Sequence, residues 1–154
     1  MARQQDLSVV LYDGVSAPTI EVQEGATSAS YVIGDLVKMD NAGRIILATN
    51  GIIAGIACMD YTGSVGSAGD TQFMELINLN ALYLITTASA TATAQAHIGE
   101  VSDLNFTAGA HYVATPTGAA GEVYIVGIYP GDLAVQGGRL IVRFNASDIT
   151  EIGD

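Results

Sequence analysis

Gly63, Gly66 and Gly69 stand at even spacing in the stretch DYTGSVGSAGD, residues 60–70, with an aspartate at each end. Glycines spaced in this way can cradle a phosphate when backbone N–H groups at a helix start converge on it and a lysine or a metal-bound hydroxyl completes the neutralisation. The stretch has no lysine, and the residues after it, TQFMELINLNALYLIT, are branched, aromatic and leucine-rich without a sustained helical stripe. They predict a strand, so the loop is expected to join two strands and to hold no nucleotide. Asp60 and Asp70 could share a calcium ion with loop carbonyls. The connecting loop is the reading adopted, and no metal site is predicted.

The remaining reactive side chains are sparse. His97 and His111 are the only histidines, and they lack both the His-Glu-x-x-His spacing of a zinc hydrolase and the cysteine partners of a structural zinc site. Both are expected on the surface or in loops. Cys58 is the single cysteine, inside the apolar run IIAGIACM, and reads as a small core residue rather than a nucleophile. Serine, histidine and aspartate all occur, but no Gly-x-Ser-x-Gly elbow marks a strained nucleophile. Asn105-Phe106-Thr107 and Asn145-Ala146-Ser147 match the glycosylation acceptor pattern, which has meaning only in a secreted eukaryotic protein. The chain is therefore not expected to be an enzyme, and no catalytic, cofactor-binding or metal-binding residue is assigned.

The whole chain bounds what can position such residues. Its 154 residues suit one domain that buries about 70% of the surface its unfolded form exposes. Hydrophobic residues make up 49% and charged ones 14%, which argues against disorder. The formal net charge is −11, with only Arg3, Lys38, Arg44, Arg139 and Arg143 positive, so nucleic acid is an improbable partner. The longest apolar runs fall far short of the ~20 residues of a spanning helix, and no membrane partner is expected. The N-terminus, MARQQDLSVVLYDG, lacks the continuous apolar segment of a secretory signal; the chain is expected to stay in the compartment where it is made.

Short runs of Val, Ile, Leu and Tyr punctuated by 18 glycines predict an all-β domain. Strands are expected at residues 7–12, 19–23, 36–39, 45–48, 52–59, 72–79, 82–86, 101–106, 122–129 and 139–144. In the last, Arg139, Ile141 and Arg143 alternate with Leu140, Val142 and Phe144, the signature of a half-buried strand. Asp40, Asn41 and Gly43 have the chemistry of a hairpin turn. The alanine- and threonine-rich stretch 88–96 reads as a loop with one helical turn ending near Gly99. YVIGDLVKMDNAGRIILATNGIIAGIACMD is loosely echoed by AHIGEVSDLNFTAGAHYVATPTGAAGEVYIVGIYPGD, at offsets drifting from 65 to 72 residues. The echo predicts two similar β units packed together.

Residues 33–76, IGDLVKMDNAGRIILATNGIIAGIACMDYTGSVGSAGDTQFMEL, resemble the capsid decoration, or cement, proteins of tailed bacteriophages, and the echo through residues 98–132 extends the likeness. In these the order is a Gly-acid-Leu-Val strand start, a turn, an Ala-Thr strand end, a Gly-Ile-Ala strand and a glycine-rich loop ending in Gly-acid before another strand. The long Ala/Thr stretch and the acidic tail DITEIGD depart from the pattern. The resemblance implies a β-tulip or small barrel-like fold, self-association as a trimer, and binding to the major capsid protein on the outer surface of the head, where capsomers meet. The chain would then be made in the host bacterial cytoplasm and end in the virion, with no cofactor. A carbohydrate- or surface-binding β module is the alternative, though the 6% aromatic content without tryptophan offers few stacking platforms. A trimeric nucleotide hydrolase ranks lower, since five scattered cations make a poor phosphate site.

Leu7, Val9 and Leu11 alternate with Ser8, Val10 and Tyr12, and no tight turn joins this segment to the rest of the chain. Residues 1–16 are therefore expected to form an extended N-terminal arm and 17–154 the decoration domain. Leu7, Val9, Leu11 and Tyr12 would be the residues the arm offers to the capsid or a neighbouring subunit.

Overall fold

A computed structural model of the chain describes residues 9–15, 18–23, 30–40, 43–48, 53–62, 71–106, 111–113 and 121–146. The fold is all-β, as the sequence predicts, and every named strand pairing is antiparallel. One five-stranded sheet contains β2 (Thr19–Gln23), β8 (Thr71–Leu76), β6 (Gly55–Ala57), β4 (Leu36–Met39) and β5 (Ile45–Leu47), in that order. The other contains β1 (Val10–Asp13), β9 (Leu82–Thr86), β14 (Arg139–Phe144), β13 (Val123–Ile128) and β10 (Val101–Ser102). Two small ribbons, β3 (Ser30–Tyr31) with β7 (Tyr61–Thr62) and β11 (Leu104–Asn105) with β12 (Tyr112–Val113), complete the architecture. Among the described residues both large sheets are open, with β2 and β5 at the edges of the first and β1 and β10 at those of the second.

The two sheets repeat one another in register. Gly55↔Leu76, Ile56↔Glu75 and Ala57↔Met74 in the first recur 68 positions later as Val123↔Phe144, Tyr124↔Arg143 and Ile125↔Val142 in the second. On the other side of the same strands, Thr71↔Gln23 through Met74↔Ile20 correspond to Arg139↔Thr86 through Val142↔Tyr83, so β9 is the counterpart of β2. The echoed Ile-Gly-acid triplets make the same pair of bonds within each half. Gly34 and Gly99 both have positive φ, 89° and 93°. Gly34 N–H donates to Ala57 O while Ala57 N–H donates to Asp35 O; Gly99 N–H donates to Ile125 O while Ile125 N–H donates to Glu100 O. A side chain at either glycine would meet the steric barrier of the left-handed region, which is why the motif keeps glycine there. Among the described residues β1 has no counterpart in the first sheet; it is an extra strand added beside β9.

Side-chain alternation then sets the layers. In β4, Leu36 belongs to the core shared with the second sheet, together with Tyr83, Ile85, Ile125, Leu140 and Val142, whereas Val37 belongs to a separate core with Tyr31, Ile45, Tyr61 and Met74. The first sheet is thus covered on both faces, on one by the second sheet and on the other by the β3–β7 ribbon, whose paired Tyr31 and Tyr61 rings stack at 5.5 Å. Tyr31 donates its hydroxyl to buried Gln72 at 3.0 Å, satisfying a polar group that a strand reading alone places in the core.

The turn expected at Asp40 is a hairpin between β4 and β5. Gly43, at φ 75°, donates N–H to Asp40 O, and the Asp40 carboxylate accepts from Arg44 N–H and Nε, both at 2.9 Å. The Ala/Thr stretch is a loop with one 3-10 turn at Gln95–His97, closing at Gly99 as predicted. The glycine-rich loop runs between β7 and β8, strand to strand, and residues 63–70 lie outside the described residues.

Both histidines lie outside the strands, as expected, but one of them is buried. His97 is half-buried, and its Nδ1 accepts from Ala94 N–H within the 3-10 turn. His111, the residue before β12, is buried instead, because its side chain lies against the turn that opens β4. Its Nε2 lies 3.3 Å from Asp35 Oδ1, with both side chains fully buried, and accepts from Leu36 N–H. The second Asp35 oxygen accepts from Val32 N–H at 3.0 Å, so the carboxylate ties the start of β4 to the second half of the molecule.

Candidate interaction site at the β1 edge

The four residues expected to mediate contacts fall into three environments. Leu7 lies outside the described residues. Val9 is 2% exposed and part of the core between the sheets, and Leu11 packs against the same core. Tyr12 is 41% exposed and stands edge-on to Tyr129, ring centroids 5.9 Å apart. The arm boundary expected at residue 16 is therefore corrected for residues 9–13: Val10 pairs with Leu84, Leu11 with Tyr83 and Asp13 with Leu82, making β1 the edge strand of the domain's own sheet. The apolar alternation that suggested an arm reflects burial of Val9 and Leu11 at home.

The Tyr12 side of this strand is held rigidly. The Arg139 guanidinium lies 3.8 Å from the Tyr129 ring centroid and makes a two-pronged ion pair with Asp132, at 2.8 and 3.1 Å. The hydrogen bonds from Arg139 hold the Asp132 carboxyl below its ordinary range. The same aspartate anchors a loop that exposes Leu133 and Val135 and places Ala134 at φ 63°.

The opposite edge of β1 borders a cleft of about 360 Å³ lined by Val9, Val10, Leu11, Ile33, Ile56, Cys58 and Glu75. Val9 and the first two residues of β1 line it in succession, so the cleft follows the backbone edge of the chain there rather than one face of the strand. Its floor is the face of the first sheet carrying Ile56 and Glu75, paired neighbours on β6 and β8. Phe73, two residues before Glu75 on that face, is exposed. The second sheet stops at β1 and leaves this part of the first sheet half covered.

Glu75 is the notable group. The residue is half-buried, yet its Oε1 is shut off from solvent and has no hydrogen-bond partner among the described residues. Burial pushes its carboxyl above the ordinary 4.5. Such an acid favours the folded state most when protonated, so its contribution is fully present below the ordinary carboxylate value and is lost as pH rises through the raised one. Glu75→Gln is expected to raise the thermal midpoint at pH 7 by roughly 1–3 °C, solvent screening keeping the effect small, and to leave it unchanged near pH 4. A lower midpoint at pH 7, or a gain that persists in acid, would contradict this assignment.

Cys58 is half-buried at the cleft wall rather than in the core, because it follows Ala57, the last residue of β6, and faces the same side as Glu75. Burial, and then the Glu75 charge, push its thiol up, which keeps it protonated and a poor nucleophile at neutral pH. Asp60, considered for calcium, accepts from Ile33 N–H at 2.8 Å, and its partner Asp70 lies outside the described residues. Among the described residues no three His, Cys, Asp or Glu side chains are grouped to hold a metal ion, and no helix is long and apolar enough to cross a membrane. Glu75 and Cys58 could not be linked by spacing, since they are brought together by β6–β8 pairing. The alternation in TQFMEL, with Phe73 and Glu75 in one phase and Gln72 and Met74 in the other, was the only available signal.

No protein-family model matches the chain, and no curated protein matches it.

Proposed function

We propose that the chain is a structural protein of a tailed-bacteriophage head, one that binds the outer capsid surface between capsomers and stabilises the lattice without a catalytic step. The observation that carries this reading is the pattern of residues 33–76 and its echo through 98–132. What it resembles is an order of elements, strand start, turn, Ala-Thr end, Gly-Ile-Ala strand; of these, the bonds made by Ile-Gly-acid at the strand start recur in both halves. The surface chemistry is compatible. Tyr12, Val15, Ile33, Leu133 and Val135 are exposed apolar residues that a monomer leaves in water and an assembly covers. The net charge of −11 disfavours packaged DNA as the partner. The major capsid protein and further copies of the chain, in a trimer, are the proposed partners.

A protein that binds the assembled lattice and not its dispersed subunits stabilises the lattice by mass action. Heads saturated with the protein are expected to survive heating to a higher temperature than heads stripped of it, as followed by release of DNA to a nuclease. Identical disruption curves for the two populations would count against the reading.

A further inference from the structure

We propose that residues 2–8 of a second copy of this chain dock in the cleft beside β1 as an added strand, bringing Arg3 to Glu75. The site is a vacant strand position. β1 is bonded to β9 on one side only among the described residues, and Val9, Val10 and Leu11 present their other backbone edge to the cleft. An extended segment there would take up main-chain hydrogen bonds from that edge and cover the exposed part of the first sheet, from Glu75 to Phe73.

Charge selects the occupant. The cleft is apolar but for Glu75, a half-buried acid, so a cation on the incoming strand meets a carboxylate in apolar, poorly solvated surroundings. Four of the five cations are already engaged: Arg44 with Asp40, Arg139 with Asp132, Arg143 over the Tyr124 ring, and Lys38 within its own surroundings. Arg3 lies in the segment MARQQDLS, which leads straight into Val9 at the cleft. Fully extended, these eight residues reach about 26 Å, enough to leave one molecule and lie along the edge strand of another. In an extended chain Arg3, Gln5 and Leu7 share a face, so Leu7 would cover the apolar part of the cleft while Arg3 reaches the carboxylate. To reach the cleft of its own molecule the segment would have to reverse direction just before Val9, through residues that include neither glycine nor proline. Each copy then gives one segment and receives another, a head-to-tail exchange that closes into a ring. The inference rests on the self-association proposed for the chain but not on its binding to the head, so its test uses the free protein.

Sedimentation velocity of the full chain over a concentration series is the experiment, with Arg3→Glu, Glu75→Lys, the double exchange and the milder Glu75→Gln. Association is expected to weaken about tenfold or more in each single variant and to return in the double exchange. Glu75→Gln should weaken association while its thermal midpoint rises, a pair of opposite effects that loss of folding cannot produce. The proposal is overturned if the chain stays monomeric at every concentration, if the charge variants associate like the parent, or if the double exchange fails to restore what Glu75→Gln also loses. A free chain that is monomeric and whose binding to heads alone depends on Glu75 would overturn it too, and would assign the cleft to a capsid segment instead.

Discussion

Gly55→Ala is expected to destabilise the protein by about 3 kcal/mol or more, a fall in thermal midpoint of roughly 6–12 °C. A Cβ built at Gly55 would clash with the carbonyl oxygen of Glu75 and lie 3.0 Å from Met74 Cγ. The first contact is with backbone in the centre of the sheet, where β6 is bonded to β4 on one side and β8 on the other, so neither strand can withdraw without breaking its ladder. The register counterpart of Gly55 in the second sheet is Val123, which shows that glycine is demanded by the close approach of β6 to β8 and not by the repeated motif. Gly127→Ala is the control. Its Cβ would find only Ile141 Cδ1, at 3.8 Å, and its stability should match the parent or exceed it by up to about 1 kcal/mol. Equal melting curves for Gly55→Ala and Gly127→Ala would mean that β6 and β8 do not pair in this register.

The second large effect is expected at Asp35. Replacing it with alanine removes the acceptor for Val32 N–H and leaves His111 buried without the carboxylate 3.3 Å away. Removing a hydrogen-bonding partner so that the polar groups around it stay desolvated costs about 1–3 kcal/mol. Thermal unfolding should fall by roughly 3–10 °C. Asp35→Asn, which keeps an oxygen for Val32, should lose less than half of that. The site joins the two halves of the molecule, so the alanine variant is also expected to broaden the transition as the halves uncouple. A sharp transition near the parent's midpoint would show that Asp35 and His111 do not meet.

The strands that matched their sequence-based bounds, Thr19–Gln23, Leu36–Met39, Leu82–Thr86 and Arg139–Phe144, are those whose alternation is bounded by turn chemistry. Their neighbours read from the same signal were less exact for identifiable reasons. Residues 52–59 look like one strand because they are uniformly apolar, but β6 is only Gly55–Ala57; burial on both faces of the first sheet makes the flanking residues apolar whether or not they pair. Residues 101–106 form two short strands, β10 on β13 and β11 on β12, and the break is fixed by buried Glu122, whose Oε2 accepts Leu104 N–H at 2.8 Å from eighteen residues away. The ribbon of β3 and β7 joins Ser30 to Thr62 and Tyr31 to Tyr61, a pairing with no local signal at all. The duplication, by contrast, was legible in Ile33-Gly34-Asp35 and Ile98-Gly99-Glu100, since a glycine with positive φ between two hydrogen-bonded neighbours leaves a mark in sequence.

The candidate site was half legible. Alternation identified Val9 and Leu11 as one face of a strand, and Tyr12 as its other face. Whether that strand found its edge at home or abroad depended on β9, seventy residues on, which periodicity cannot reveal. The cleft beside it arises because the second sheet has an added strand, β1, that the first sheet does not match, a property of the assembled halves that no stretch of either carries.

The proposed role rests on binding to an assembled surface, and the most direct measurement is the amount of purified protein that co-sediments with phage heads before and after their maturation. Saturable addition to mature heads, in fixed proportion to the capsomers, with none to immature heads, is the predicted result. Equal uptake by both forms, or no uptake by mature heads stripped of their own copies, would contradict it.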